Sequence, residues 1–125
     1  MLSHSSRHDG RRLAVAEETW LRLLLIRGGY PRPETQIPLY EYGTVVANLD
    51  MGWPQIRVSV EYDGDQHRTD RNTYVKDMRR AELVNRLDWL NIRVVKEDRE
   101  IDILARVREA WARREREGMD VNFAR

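Results

Sequence analysis

Three prolines, Pro31, Pro33 and Pro38, follow closely on Gly28-Gly29 and divide the chain into a helical opening and a strand-rich middle. Proline fixes φ near about −65° and lacks an N–H donor, so no regular helix crosses this segment. Upstream, Leu21, Leu24 and Leu25 recur at helical spacing with Trp20 and Leu23 beside them, which predicts a first helix over about 12–27 that stops at the glycine pair. The residues before it are rich in Ser, His and Arg, carry no periodicity, and read as a flexible N-terminal arm over 1–11. Downstream, strands are expected at about 36–40 and 44–51 around a turn at Gly43. A further turn at Gly52-Trp53-Pro54 leads into the alternating run Ile56-Arg57-Val58-Ser59-Val60-Glu61-Tyr62.

After a polar segment the helical period returns over about 71–87, with Tyr74, Met78, Ala81, Leu83 and Val84 expected toward the sheet. A strand follows at about 90–96, and the helical crossover before it lets it lie parallel to a neighbour. The last helix, about 101–116, carries Ile103, Leu104, Val107 and Trp111 on one stripe and Arg106, Arg113 and Arg114 off it. The expected fold is therefore α/β, a mixed β-sheet flanked by helices in the order αβββαβα. At 125 residues the chain suits one domain, placed at 12–117 with a C-terminal tail at 118–125.

Composition removes several kinds of chemistry. Without cysteine there are no disulfides, thiol nucleophiles or cysteine-bearing zinc sites, and the reducing cytoplasm is the expected location. No apolar run approaches the roughly 18 residues of a membrane span, and the start lacks the apolar centre of a secretory signal, so no membrane association is expected. The 22 cationic and 21 anionic side chains nearly cancel, but lysine occurs only at 76 and 96. The remaining cations are arginines, whose planar fork suits bidentate phosphate contacts.

The acids supply the candidate site. Asp50 closes a mainly apolar strand, where it could simply start the Gly-Trp-Pro turn. The period of two places Arg57, Ser59, Glu61 and Asp63 on one face of the next strand, opposite Ile56, Val58 and Val60. Pairing through the turn would bring Asp50 and Glu61 together near neighbouring strand ends, where a divalent cation or a shared proton would offset their repulsion. Magnesium or manganese is the natural candidate, with Asp50 and Glu61 as ligands. His67 follows Asp63-Gly64-Asp65-Gln66 and reads either as an exposed loop residue or as a general base or acid beside the acids. Glu18 either neutralises the first helix terminus or, lying three residues before Leu21 and seven before Leu25, heads the apolar stripe in need of a partner. Asp77, between Lys76 and Arg79-Arg80, reads most simply as part of a solvated charge ladder.

The segment Val58-Ser59-Val60-Glu61-Tyr62-Asp63-Gly64-Asp65-Gln66-His67, preceded by Asp50-Met51-Gly52-Trp53-Pro54 and followed by Tyr74, Asp77, Arg80 and Ile92-Arg93-Val94-Val95, resembles the restriction-endonuclease-like domains related to very-short-patch-repair (Vsr) endonucleases. These belong to the PD-(D/E)XK nuclease superfamily, and the likeness spans about 17–111. It implies a magnesium-dependent endonuclease acting on DNA, with Asp50 as principal metal ligand and Glu61 supporting the metal or its water. His67 would activate or protonate, Glu18 would orient water or a second ion, and Asp63 takes the position where the superfamily has lysine. A Glu, Asp, His, Asp signature of related homing endonucleases would fall on Glu18, Asp50, His67 and Asp77. Arg68, Arg71, Arg79 and Arg80 would contact phosphates. The alternative is a non-catalytic module that keeps the nuclease fold to bind DNA or protein. Such domains often accompany DNA-binding or antitoxin-like regions, so a partner of that kind stays open, as does a homodimer.

Overall fold

The computed structural model describes residues 2–64 and 70–124. Its elements run α1 (Leu2–Arg27), β1 (Glu34–Glu41), β2 (Thr44–Trp53), β3 (Val58–Tyr62), α2 (Arg71–Arg86), β4 (Leu90–Val94) and α3 (Glu100–Arg116). The four strands form one mixed sheet in the order β1-β2-β3-β4, with antiparallel pairing from β1 to β3 and parallel pairing of β3 with β4. The parallel pair is the one separated by a helix, as the length of a crossover requires.

Two differences at the start and middle of the chain have local causes. The backbone expected as an arm is helical from Leu2, so α1 begins ten residues before the expected start at 12. Helical backbone there runs ahead of the leucine stripe that made the sequence legible. The turn after β2 also sits later than Gly52: β2 continues through Trp53, whose indole N–H donates to the Pro31 carbonyl at 2.8 Å. Ile56 and Arg57 lie in the turn itself, closed by Ile56 N–H to Trp53 O and Arg57 N–H to Pro54 O. At the end of α1 the N–H of Tyr30 reaches back to Leu25 O while Gly29 takes φ of 96°, a conformation suited to glycine.

The buried apolar side chains gather in two clusters. Leu21, Leu24 and Leu25 of α1 and Ile103, Val107 and Ala110 of α3 bury against Met51, Trp53, Val58, Val60, Ile92 and Val94. A smaller cluster of Ile37, Leu39, Leu49, Val84 and Trp89 includes the single buried residue of α2, Val84. The expectation for α2 therefore needs correction: Tyr74, Met78 and Ala81 are exposed and Leu83 is half-buried. α2 begins where Asp70 accepts from Asn72 N–H and Thr73 Oγ1, and it covers polar strand positions rather than an apolar stripe. The expected placing of Arg114 off the buried stripe of α3 is also corrected, because its side chain is 1% exposed. Beyond α3, Met119, Val121 and Phe123 of the expected tail pack on the main core. No helix among the described residues is long and apolar enough to cross a membrane.

Candidate functional site

The polar face of β3 is where the site is built. Ser59 and Glu61 point to the same side because side chains alternate along a strand, and parallel pairing sets Asn91 beside Ser59 and Arg93 beside Glu61. Ser59 is fully buried and Glu61 is 6% exposed, so each must find hydrogen bonds inside the protein. Ser59 Oγ donates to Asn91 Oδ1 at 2.8 Å, and Asn91 Nδ2 donates to Glu61 Oε1 at 2.9 Å. Arg80 descends from α2 and grips both oxygens of Glu61, Nη1 to Oε1 at 2.9 Å and Nη2 to Oε2 at 2.5 Å. Its Nη2 also donates to Asn48 O on β2 at 2.7 Å.

Asp50 stands next to this network. The register Met51 with Val60 carries Asp50 up to Glu61, and the backbone N–H of Asp50 makes a long 3.4 Å contact to Glu61 Oε2. The two acids meet as expected, but Asp50 lies inside β2, three residues before its end at Trp53, and only Glu61 is near a strand end. On the other flank of β2 the pairing with β1 skips the position of Gln36, whose φ of 51° lies in the left-handed region. Asp50 is half-buried, and its carboxyl is pushed up to about 6, mainly by burial and then by the negative charges of Glu61 and Glu18. Arg80 and the backbone N–H of Tyr62 oppose that shift. Glu18, from α1, is also raised, by burial first and then by Glu17 and Glu61. Three carboxylates from α1, β2 and β3 thus act on one another at one place.

Asp50 and Glu61 open into a cleft of about 370 Å³ lined also by Tyr62, Asp63, Gly64, Asp77, Arg80 and Arg93. Asp77 is not part of a solvated ladder on α2: its two oxygens face the guanidinium of Arg93 across the cleft at 3.2 and 3.3 Å. Arg93 Nε is buried and has no hydrogen-bond partner among the described residues. Arg79 is exposed and pairs with Glu82 at 3.3 Å, while Arg71 is exposed with its guanidinium 5.6 Å from the Tyr74 ring centre. Arg80, expected to contact phosphates, has its guanidinium engaged by Glu61 and Asn48. His67 and Arg68 lie outside the described residues. Arg93 and Asn91 escaped the sequence reading as site residues. The available signal was their spacing of two, matching Ser59 and Glu61 on the strand expected to run parallel.

The donor set can be tested against a divalent cation. Each oxygen of Glu61 already accepts two hydrogen bonds, from Arg80 and Asn91 at Oε1 and from Arg80 and Asp50 at Oε2. That fills its lone pairs, so Glu61 would enter coordination by releasing the long Asp50 contact. Asp50 and Glu18 differ, since both are crowded by like charge, which a cation would relieve. Among the described residues no group of three or more acids and histidines is arranged to hold a metal ion. The described donors match a cation in charge alone: Asp50 and Glu18 are two crowded carboxylates and do not make a complete cage.

Two proteins of Mycobacterium tuberculosis are similar to this chain, Uncharacterized protein MT2308 of strain CDC 1551 / Oshkosh and Uncharacterized protein Rv2248 of strain ATCC 25618 / H37Rv. Each is 30% identical over 90 residues, covering 72% of this chain and 33% of the relative, so the chain spans a third of the length of the curated relatives it matches. No family model matches the chain. No solved structure matches it.

Proposed function

We propose that the chain is a metal-dependent DNA endonuclease of the restriction-endonuclease-like, Vsr-like kind, hydrolysing phosphodiester bonds in the acidic cleft. The observation that carries this reading is that Asp50 and Glu61, from neighbouring strands, line one open cleft, with the charge of Glu18 from α1 acting on both. The element order and the mixed sheet support it, since they set Asp50 of β2 beside Glu61 of β3.

Asp50, helped by Glu18, would hold magnesium or manganese. Such an ion supplies positive charge to phosphate oxygens and makes a nearby water more acidic. Glu61 holds Arg80 in place, and Arg80 keeps one positive charge at the floor of a cleft otherwise rich in acids. Arg93, tied to Asp77, adds a second cation facing the same space. Arg71 and Arg79 sit exposed on α2, where phosphates flanking the cut could be met. His67 remains the candidate proton carrier.

Incubation of the protein with supercoiled, linear and single-stranded DNA plus magnesium or manganese tests the reading. The expected result is cleavage that Asp50→Ala lowers by about a hundredfold or more. Cleavage no greater than that of Asp50→Ala on every substrate would overturn it. One observation favours a second reading, a DNA-binding module without turnover: the lone pairs of Glu61 are filled by protein donors. That module would bind labelled DNA with an affinity that falls as salt rises, and it would cut nothing.

A further inference from the structure

A second hollow of about 310 Å³ shares Tyr62 with the acidic cleft but has a different character. Its walls include Leu13, Glu17 and Trp20 of α1, the ring of Tyr62, and Val95 and Lys96 just beyond β4. Leu13, Glu17 and Trp20 are spaced four and three residues apart, so they form one stripe along the helix. Leu13 is 64% exposed and Trp20 36% exposed, although the neighbouring Leu21 is fully buried. The rings of Trp20 and Tyr62 meet edge to face at 6.2 Å and 85°, a corner of two aromatic surfaces.

Tyr62 joins the two sites through three of its groups. Its backbone N–H donates to the carboxylate of Asp50, its ring walls the apolar hollow, and its hydroxyl donates to Glu17. Tyr62 is the last residue of β3, and alternation turns its ring to the face opposite Glu61, so the acidic cleft and the hollow lie on either side of the strand's exit, where one nucleotide can place its phosphate at Asp50 and its base against the ring. The hollow lies at the small end of ligand pockets, a size for one ring system rather than a base pair. Its apolar, aromatic walls favour the face of a base. The carboxylate of Glu17 at its rim accepts hydrogen bonds and donates none when ionised, so it favours a base carrying an amino group.

Resting on the endonuclease reading, we infer that this hollow receives the base of an unpaired nucleotide whose phosphate lies at Asp50. The substrate is then single-stranded or locally unpaired DNA, with cytosine, adenine or guanine preferred over thymine at that position. A base inside a duplex is stacked on both faces and paired along its edge, so it reaches the hollow only after leaving the stack.

Fluorescence anisotropy with calcium in place of magnesium, a divalent cation chosen to hold the phosphate without supporting cleavage, tests this using labelled single-stranded oligo-dC, oligo-dA and oligo-dT and a fully paired duplex. Trp20→Ala is expected to weaken binding of oligo-dC and oligo-dA by about tenfold while leaving the duplex nearly unchanged. Trp20→Phe restores most of the loss, and Glu17→Gln narrows the preference over oligo-dT. Equal loss on single strands and duplex, or no loss on either, overturns the inference. If Trp20→Ala proves unfolded by circular dichroism, the wild-type protein is photo-crosslinked to a single strand bearing 5-iododeoxycytidine. Adducts on Trp20 or Tyr62 support the hollow, and adducts confined to other residues, as expected if a protein segment is its true occupant, overturn it. The two readings fail separately. Normal single-strand binding by Trp20→Ala, with cleavage that depends on Asp50, removes only the base site. Trp20-dependent binding without cleavage in magnesium or manganese removes only the nuclease.

Discussion

At the entry to β3 a buried arginine has its charge fully answered, whereas at its exit a carboxylate cluster leaves Asp50 and Glu18 crowded by like charge. Arg114 donates to Ile56 O at 2.8 Å, Arg57 O at 3.1 Å and Asp88 O at 2.5 Å, and it pairs with Glu117 at 2.8 Å and Asp88 at 3.4 Å. It locks α3 to the turn before β3 and to the turn before β4. At the other end, Glu61 is answered as completely by Arg80 and Asn91, but Asp50 beside it keeps a carboxyl pushed up to about 6. The contrast separates charge buried for architecture from charge held in tension, and tension of the second kind clusters at functional sites.

The largest effect should come from breaking the first end. Arg114→Met leaves the Ile56 carbonyl without its donor, removes a second donor from the Arg57 and Asp88 carbonyls, and is expected to cost about 3 kcal/mol in urea unfolding. At temperatures where that variant stays folded, cleavage should be unaffected. Gly52→Ala comes next. A Cβ there would run into the Val58 carbonyl and the Ser59 backbone, which do not yield as side chains do, so β2 and β3 must part beside Asp50. A loss of about 2 kcal/mol is expected by the same measurement, together with reduced cleavage.

Two smaller effects sharpen the other end. Asp50 keeps its proton up to about pH 6 when folded, against an ordinary value of 3.8, so between those values the folded state binds more protons than the unfolded state. Stability therefore falls as pH rises through that window and levels off above it. Asp50→Asn should raise stability at pH 7 in metal-free buffer by about 1 kcal/mol, a figure reduced for solvent screening of a half-exposed group, and the gain should vanish below about pH 4. A gain that persists in acid would show that the tension is not electrostatic. Glu61→Gln removes a negative neighbour and frees Arg80, so the Asp50 carboxyl should titrate at a lower pH, read by NMR of its carboxyl carbon. An unchanged titration would mean that burial and Glu18 raise Asp50 without help from Glu61.

Elements with a strong local period were legible. The leucine stripe of α1, the alternation in β3 and the crossover before β4 led to the observed order αβββαβα and to a mixed sheet. Tyr74 and Met78 misled because helical spacing reports which residues share a face, while the face α2 turns to the sheet is polar and is met by Asp77 and Arg80. Arg114 misled for a related reason: arginine is usually exposed, and only the carbonyls of a distant turn make its burial tolerable. Asp50 and Glu61 were found because one tight turn connects their strands, so their meeting is nearly local.

By itself the sequence determined the elements, their order, the pairing of Asp50 with Glu61 and the absence of cysteine chemistry, because period, turn residues and composition act over short stretches of chain. Only the tertiary structure decided that Arg80 and Asn91 satisfy Glu61, that Asp77 turns to Arg93, that Arg114 is buried, and that Tyr62 divides an acidic cleft from an apolar hollow. Those outcomes depend on strand register and helix docking between residues far apart in sequence, and a buried charge takes the partners that packing brings within hydrogen-bond reach.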